Sequence, residues 1–596
     1  MYRAPLEDLR FVLHELLGDA LLSALPAHAE YTPDLADAVL DEAARLAEEV
    51  IAPLRESGDR EGAHWSPEGV TMPAGFKAAY RKFAEGGWVG LRADPGYGGQ
   101  GVPIVLGAAV QELWAGANLA FKLGPMLTQG AIEALSLHGS PEQKARFLPK
   151  LISGEWSGTM NLTEPQAGSD LAAIRARALP EGDRYRIFGQ KTFITYGEHD
   201  CTDNIIHMVL ARIDGAPPGV RGISMFIVPK VGVRADGTLG ERNEVRCLKV
   251  EDKLGIHASP TCVMQFGEEQ GALGDLLGEA NHGLEHMFVM MNAARLSVGL
   301  EGYAMAERAF QQALGWAHTR VQGKPPVAAP EGPAPIVHHP DVKRMLLTMK
   351  ASVEAMRALA LYAAFQLDLA EAAADAQVRS AARARGSLLI PIVKGWCTET
   401  GVEVTSLGVQ VHGGMGYIEE TGAAQSLRDA RITPIYEGTT GIQANDLVGR
   451  KLGHDRGEAM TTLLAEATRE LEALDVSGEA ALVSLQRTAL EGLQTLRLAS
   501  ESMLQALAGR PERAAAVSVP YLKLCGTALG GWLMTRSAAI ASARLASGPG
   551  EVRRFLEGKR ATACFYGAHI LPQSLALARI VAEGATAVVE TDAALL

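Results

Sequence analysis

The chain has 596 residues, of which 47% are hydrophobic and 21% charged, so it is long enough to bury large cores and to divide into several domains. Sixty-nine acidic and 56 basic residues give a formal charge of −13, which argues against a protein that grips nucleic acid through its phosphates. The six cysteines show no CxxC pair and no histidine at metal-ligand spacing, so we expect reduced thiols in a cytoplasmic protein and no metal site.

Residues 1–34 are predicted to form an N-terminal extension. Charges at Arg3, Glu7, Asp8 and Arg10 interrupt the apolar stretch that a signal peptide needs. We therefore expect no secretory leader in this segment.

Residues 35–158 are predicted to form a helical domain, because their apolar residues recur at helical spacing. The run Gly96–Gly101 fits the GxGxxG pattern of a dinucleotide site. That pattern requires a preceding strand and an acidic residue about twenty positions later, and here the surroundings are helical. We interpret the run as a weak signal that does not mark a dinucleotide site.

Residues 159–275 change to short alternating and β-branched runs separated by Gly and Pro turns, which predicts a central β-domain. Helical spacing returns over residues 276–452, with Gly323–Pro335 as a predicted exposed loop. Residues 453–596 predict an appended helical domain, punctuated at Ser477–Gly478 and Gly548–Gly550.

The most lipid-like segment, Leu524–Met534, lies in that last domain. It is too short to span a bilayer, which takes about 20 apolar residues, and it is flanked by Lys523 and Arg536. We predict a buried core helix here and no insertion in a membrane.

One acidic residue, Glu437, lies between an apolar approach and the turn Gly438–Gly441. Because glycine has no Cβ, a carboxylate next to it can approach a small reacting group closely together with its own backbone N–H. Such a glutamate suits removal of a proton from carbon. The alternative is a solvated loop glutamate beside a turn.

Two further segments decide between these interpretations: Met160–Asp170 and Gly189–Thr195. Together with the Glu437 turn they closely resemble the acyl-CoA dehydrogenase family of flavoproteins, in order, from about residue 35 to about residue 450. The 596-residue length and the opening Tyr2–Leu6 resemble the longer bacterial branch of the family, which includes 3-methylmercaptopropionyl-CoA dehydrogenases.

The resemblance implies a mostly α fold with a central β-domain: an α-helical domain, a β-barrel-like domain and an α-helical bundle, here with the appended helical domain. It implies dehydrogenation of an acyl-CoA to a trans-2-enoyl-CoA in fatty acid β-oxidation. Glu437 would be the base, FAD the hydride acceptor through its N5 atom, and an electron-transfer flavoprotein the electron acceptor. An acyl-CoA oxidase that uses dioxygen and a non-catalytic acyl-CoA-binding scaffold stay open as alternatives.

The resemblance also assigns site residues. The residues that it implies for FAD binding are Met160, Leu162, Thr163, Gly168, Ser169, Phe193, Ile194, Thr195, Arg320, Gln322, His339, Gln410, Val411, Gly413, Gly414, Thr439 and Gly441. Those that it implies for the substrate are Ser169, Asn292, Arg295 and Gly438.

Some of these positions depart from the common family pattern. Phe193 stands where most relatives have Trp, and Gln322 and Gly441 replace the usual Thr and Gln. Pro340, next to His339, replaces a Gln.

Arg320 and the segment around Gln410 serve the partner's cofactor in the family, so a homodimer is implied. Arg295 is expected to keep the surroundings of Glu437 electropositive, and the alternative is an ion pair within the helix. The Met287, Met290 and Met291 stripe suits an acyl tunnel but is more often core packing.

Overall fold

A computed structural model describes residues 2–18, 25–28, 30–326, 333–476, 478–548 and 550–596. Parts of the predicted N-terminal extension, of the loop Gly323–Pro335 and of the breaks at Ser477 and Pro549 lie outside the described residues. The chain forms two compact units. The first comprises Met1–Ala44, Ile104–Gly116 and Val298–Leu596, and the second comprises Arg45–Pro103 and Ala117–Ser297.

The second unit combines helices with a sheet. Its α-helices are Leu54–Glu61, Phe76–Glu85, Leu119–His138, Pro141–Ile152 and the start of Gly283–Thr319. Two of them begin at side-chain caps: Asn118 accepts from the Phe121 N–H, and Ser140 forms a capping box with Gln143. These caps explain why helices start there.

The strands of the second unit are β1 (His64–Ser66), β2 (Gly69–Thr71), β3 (Trp156–Asn161), β4 (Arg177–Glu181), β5 (Arg184–Thr195), β6 (Asn204–Ile213), β7 (Ile223–Pro229), β8 (Val231–Val233), β9 (Leu239–Arg242), β10 (Val245–Val250), β11 (Thr261–Phe266) and β12 (Ala272–Leu277). Within residues 156–277, all of which the structure describes, eight strands form one sheet in the order β10-β11-β5-β12-β7-β6-β3, with β4 beside β5 and β6. The pairs β3–β6 and β4–β6 are parallel and the other pairs in this sheet are antiparallel. The predicted central β-domain is confirmed.

Two histidines are buried beside β3. The His199 ring shares a 2.9 Å hydrogen bond with the Ser157 hydroxyl, and the His207 ring shares a 2.7 Å hydrogen bond with the Thr159 hydroxyl. Burial first, and then the Lys230 charge, lower the pKa of each histidine to about 3. Both rings are therefore neutral in the folded protein at neutral pH.

We expect acid to destabilise this unit through His199 and His207. Below about pH 6.5 the unfolded chain binds protons at these rings and the folded chain does not. The free energy of unfolding that these neutral rings contribute is therefore complete above that pH and is lost as the pH falls. Two such groups remove about 2 kcal/mol from the free energy of unfolding between about pH 6.5 and about pH 5.5. Urea titrations of the full chain measure this loss. His199→Gln should flatten the dependence and the exposed control His64→Gln should not; an unchanged slope in His199→Gln contradicts the assignment.

The first unit is helical. The α-helices that lie wholly or mainly in it are Leu6–Arg10, Pro33–Leu46, Ile104–Ala117, Gly283–Thr319, Pro340–Ala372, Ala376–His412, Ala423–Ala430, Thr440–Asn445, Glu458–Glu472, Ala480–Gly509, Pro511–Ala516, Ser518–Ala546, Arg553–Phe565, Gln573–Glu583 and Ala585–Val589. The mostly α fold with a central β-domain is thus confirmed.

The predicted core helix Leu524–Met534 is confirmed as the buried middle of Ser518–Ala546. Across the part of the chain that the structure describes, no helix has the length and apolar character to cross a bilayer. The N-terminal segment packs against this region, because Phe11 lies in an apolar cluster with Ala541 and Leu556.

A buried charge network lies inside the first unit. Arg357, on Pro340–Ala372, is 1% exposed in its side chain and binds Glu112 at 2.5 Å and Glu307 at 2.9 Å. Its ring neighbour is Tyr303, with the guanidinium carbon 5.9 Å from the ring centroid. Burial alone would lower the pKa of Arg357, but the charges of Glu112 and Glu307 hold it well above its ordinary value.

The network continues into the N-terminal segment. Lys559 lies 2.5 Å from Asp8 and 3.2 Å from Glu354, and Lys350 binds Glu354 at 2.6 Å. Burial alone would raise the pKa of Asp8, but Lys559 and Arg357 hold it well below its ordinary value. The network therefore joins five segments that are far apart in sequence.

Candidate active site

The Glu437 turn precedes the helix Thr440–Asn445. Glu437 has φ 55° and Gly438 has φ 89°, so two consecutive residues adopt the left-handed conformation. Glutamate rarely adopts this conformation, and such residues persist where the surroundings determine them and cluster at functional sites. Glu437 is half-buried.

Two buried side chains hold the backbone of this turn. The Lys394 Nζ donates to the Gly438 carbonyl at 2.7 Å, and the Gln443 amide donates to the Glu437 carbonyl at 3.0 Å. Lys394 and Gln443 are both fully buried. A Cβ at Gly438 would lie 2.7 Å from the Gln443 amide nitrogen, so this turn requires glycine there.

A third contact fixes the residue before Glu437. The Tyr436 hydroxyl donates to the carboxylate of Glu301, which is fully buried on Gly283–Thr319. Burial and then the Glu301 charge raise the pKa of Tyr436 well above its ordinary value, so the hydroxyl stays protonated and can donate. The turn is thus anchored on both sides of Glu437.

The segment Met160–Ser169 runs from the end of β3 into a loop that an ion pair organises. Glu164 is buried, binds Lys191 at 2.8 Å, and accepts the Arg175 and Ala176 N–H groups at 2.6 and 3.0 Å. The Lys191 ammonium also donates to the Leu162 carbonyl at 3.0 Å. Burial lowers the pKa of Lys191 to about 8, although Glu164 opposes this shift.

The loop is tied to the end of β5. The Thr192 N–H donates to the Thr163 carbonyl at 2.9 Å, which places Thr163 beside the segment Phe193–Thr195. Met160 and Ile194 are buried, Gly168 and Ser169 are exposed, and Phe193 is 65% exposed with φ 60°. An exposed aromatic face held in a left-handed conformation is suited to stacking against a planar ligand.

A second group of predicted residues lies in the first unit. His339 bonds to the Gln322 carbonyl at 2.8 Å, and the Ile336 N–H donates to the Arg320 carbonyl at 2.8 Å. The exposed Arg320 lies over Trp316, at 6.0 Å from the ring centroid, and Trp316 stacks on His412 at 5.2 Å.

This stack brings Arg320 near the end of Ala376–His412, where Gln410 is exposed and Val411 buried. Gly413 has φ 63°, and a Cβ added to Gly413 or Gly414 would meet no atom within 4 Å. Open glycine backbone beside an arginine is suited to a phosphate group.

The remaining predicted residues are also placed. Thr439 caps Thr440–Asn445 by accepting from the Ile442 N–H at 3.3 Å, and Gly441 lies in its first turn. Asn292 is exposed and Arg295 buried on Gly283–Thr319. Met287 and Met290 are buried and Met291 partly so, consistent with core packing.

The structure brings the predicted residues together in separate groups, each within one unit. The β-domain segments 160–169 and 193–195 form one group, and Arg320, Gln322 and His339 form another with 410–414. Sequence reasoning missed Lys394, Gln443 and Glu301. A lysine in the apolar run Leu388–Trp396 was the available signal, because lysine is rarely buried without a partner.

Four family models match the chain. They are the acyl-CoA dehydrogenase N-terminal domain over residues 33–155, the middle domain over 159–268, the C-terminal domain over 281–452, and the acetyl-CoA dehydrogenase C-terminal-like domain over 459–592. The chain belongs to the acyl-CoA dehydrogenase family. It is an oxidoreductase that acts on a CH–CH bond, and FAD is the cofactor of this family.

This acyl-CoA dehydrogenase is 47% identical over 571 residues to 3-methylmercaptopropionyl-CoA dehydrogenase of Ruegeria pomeroyi, covering 96% of each chain. It is 35% identical to a butyryl-CoA dehydrogenase of Syntrophomonas wolfei, covering 96% of this chain and 95% of the relative. An acyl-CoA dehydrogenase structure from Bacillus anthracis, complexed with FAD, is 20% identical with a TM-score of 0.74 and covers 96% of this chain and 91% of that one. That structure supports the fold.

The residues present fit FAD. The second unit offers the exposed Phe193 face beside Thr195, and the first unit offers Arg320 with the open backbone of Gly413 and Gly414. The aromatic face is suited to the planar flavin ring, and the arginine with open glycine backbone is suited to the diphosphate.

Proposed function

We propose that this protein dehydrogenates a short acyl-CoA to its trans-2-enoyl-CoA, with Glu437 as the base. The observation that carries the proposal is the strained Glu437–Gly438 turn. Buried Lys394 and Gln443 hold its backbone, and buried Glu301 holds the hydroxyl of the preceding Tyr436.

Residues Met160, Leu162, Thr163, Gly168, Ser169 and Phe193–Thr195 would hold the flavin side of FAD. Arg320, Gln322, His339 and Gln410–Gly414 would hold the diphosphate and adenosine side of the FAD bound by the partner subunit. Thr439 and Gly441 would complete the FAD contacts. When bound, FAD supplies the hydride acceptor that amino-acid side chains lack.

The protein's own part of the reaction is proton removal. The Glu437 carboxylate would take the proton from the α carbon of the acyl group. Its backbone N–H would donate to the thioester oxygen, which gains negative charge as the proton leaves. Ser169, Asn292, Arg295 and Gly438 would orient the CoA thioester.

Lys394→Met is expected to slow flavin reduction about ten- to a hundredfold, because a charge-assisted hydrogen bond to the Gly438 carbonyl is worth about 1.5–3 kcal/mol. Rapid-mixing absorbance at the flavin band measures the rate. Lys451→Met is the matched control, since Lys451 donates to Ser387 at 2.8 Å. Equal rates of flavin reduction in the two variants would show that Lys394 does not position Glu437.

The substrate is proposed to be a short acyl thioester, with 3-methylmercaptopropionyl-CoA first among the candidates. The support is the likeness to relatives whose names specify 3-methylmercaptopropionyl-CoA and butyryl-CoA. An anaerobic panel of acyl-CoA thioesters of increasing length tests this through bleaching of the bound flavin. Bleaching by long-chain substrates alone would refute the short-chain assignment, and a colourless protein that cannot take up FAD would favour a non-catalytic scaffold.

Electrons are proposed to leave to an electron-transfer flavoprotein in fatty acid β-oxidation. Turnover with that acceptor and slow peroxide release with dioxygen are expected. Rapid peroxide formation with dioxygen alone would identify an oxidase instead. The six cysteines, none of them in a disulfide, support a cytoplasmic location.

The protein is proposed to be a homodimer in which Arg320 reaches the partner's FAD diphosphate. Its exposure and its position beside the open glycine backbone support this role. Arg320→Ala is expected to weaken FAD binding about ten- to a hundredfold through loss of a charge-assisted contact. Flavin absorbance after extended dialysis and light scattering measure the outcome. If the Arg320→Ala variant stays dimeric and keeps stoichiometric FAD, Arg320 is a charge at a helix end and does not hold the cofactor.

A further inference from the structure

Two cysteines lie together on neighbouring strands of the β-domain. Cys262, on β11, is fully buried in an apolar cluster with Met264, and Cys247, on β10, packs against the same cluster. Both thiols therefore belong to the surroundings of one apolar cluster. Each also points to a carbonyl, Cys247 to Lys249 at 3.4 Å and Cys262 to Glu198 at 3.9 Å.

The strand register puts both side chains on one face of the sheet. Cys247 is opposite Met264, and Cys262 is two positions from Met264 on the same strand. The register shifts between Cys247 and Lys249, so an irregularity interrupts the ladder at this pair. Such an irregularity allows β10 to adjust locally, as these diagonal neighbours must do to form a sulfur–sulfur bond of about 2.05 Å.

The two thiols differ in access. Cys247 is partly exposed and lines an open groove of about 1370 Å³ together with Trp65, whose ring N–H donates to the Cys247 carbonyl at 2.9 Å. Cys262 has no exposed surface. A small reagent therefore meets Cys247 first.

We propose that Cys247 and Cys262 form a reversible dithiol–disulfide pair that hydrogen peroxide oxidises. In the first step the Cys247 sulfur attacks one peroxide oxygen, the O–O bond breaks, and sulfenic acid and water form. In the second step the Cys262 sulfur attacks the Cys247 sulfur, the S–O bond breaks, and a second water leaves with the Cys262 proton. The two thiols together lose two electrons, and one molecule of hydrogen peroxide gains them.

The pair is close to the proposed flavin segment in the same unit. Cys262 pairs with Ile194 in the sheet, and its neighbour Thr261 pairs with Thr195. A bridge from Cys262 to β10 consequently pulls on the strand that carries the exposed Phe193 and Thr195. The inference concerns thiol chemistry and stands apart from the identity of the acyl substrate.

The test oxidises the full-length holoenzyme with equimolar hydrogen peroxide and counts thiols after denaturation. The count is expected to fall from six to four and to return to six with dithiothreitol. Mass spectrometry of a digest should find the Cys247 and Cys262 peptides joined. An unchanged count, a bridge between other cysteines, or a loss that dithiothreitol does not reverse would overturn the proposal.

Three variants sharpen the test. Cys262→Ala should stop at a Cys247 sulfenic acid that dimedone captures, and Cys247→Ala should lose no thiols. Cys201→Ala, a partly exposed cysteine of the same unit, is the matched control and should still lose two. Loss of two thiols from Cys247→Ala would also overturn the proposal.

Discussion

Glu437→Gln is expected to retain FAD and bind acyl-CoA, yet to reduce its flavin at least about 10³-fold more slowly, which lies within the range for loss of a general base. The amide keeps the size of the side chain and removes its basicity. The anchors of the turn bind the backbone of Glu437 and Gly438 and the side chain of Tyr436, so the substitution leaves their donors and acceptors in place. Anaerobic rapid mixing with acyl-CoA measures the rate.

The control for this experiment is Glu420→Gln, an exposed glutamate elsewhere in the same unit. It should reduce its flavin at the parent rate. If Glu437→Gln also does so with the same substrate, another group removes the α proton and the proposed base is wrong.

Arg357→Leu is expected to lower the free energy of unfolding by about 3–5 kcal/mol, because it leaves buried carboxylates without their partner. Glu112 is buried, and burial already raises its pKa despite the neighbouring guanidinium. Removing Arg357 also releases Glu307, which it binds at 2.9 Å. Urea titration of the full chain measures the change.

Two comparisons identify the cause of that loss. Arg497→Leu breaks an exposed pair with Glu501 and should cost less than about 1 kcal/mol. Arg357→Leu combined with Glu112→Leu should recover part of the stability, since an ion pair replaced by apolar side chains is often tolerated. Similar stabilities of Arg357→Leu and Arg497→Leu would show that the buried network contributes little.

The sequence predicted the parts of this molecule that depend on local pattern. Helical and alternating periodicity identified the β-domain and the buried helix around Leu524–Met534, and the Glu437 turn was recognised from its glycine context. Periodicity does not reveal which strands pair, so the parallel β3–β6 contact could not be predicted. Lys394 and Glu301 were missed because their partners lie 44 and 135 positions away.

The N-terminal segment shows the same limit. Residues 1–34 were predicted as an extension, since nothing local in their sequence marks a distant partner. In the structure, the Arg536 guanidinium donates to the Leu16 carbonyl at 3.0 Å, and Arg544 pairs with Glu15 across 529 positions.

These end-to-end contacts have a consequence for the growing chain on the ribosome. Domains generally fold as units during synthesis, N-terminal first, at about 5–20 residues per second. Here Leu16 and Glu15 wait for Arg536 and Arg544, which follow them by 520 and 529 positions, and so cannot reach their final places for about half a minute or longer. Meanwhile the unit built from Arg45–Pro103 and Ala117–Ser297 is fully synthesised before Arg536 emerges. Until then the apolar Phe11, Val12 and Leu13 lack the surface that buries them in the folded protein, which favours chaperone binding to this segment.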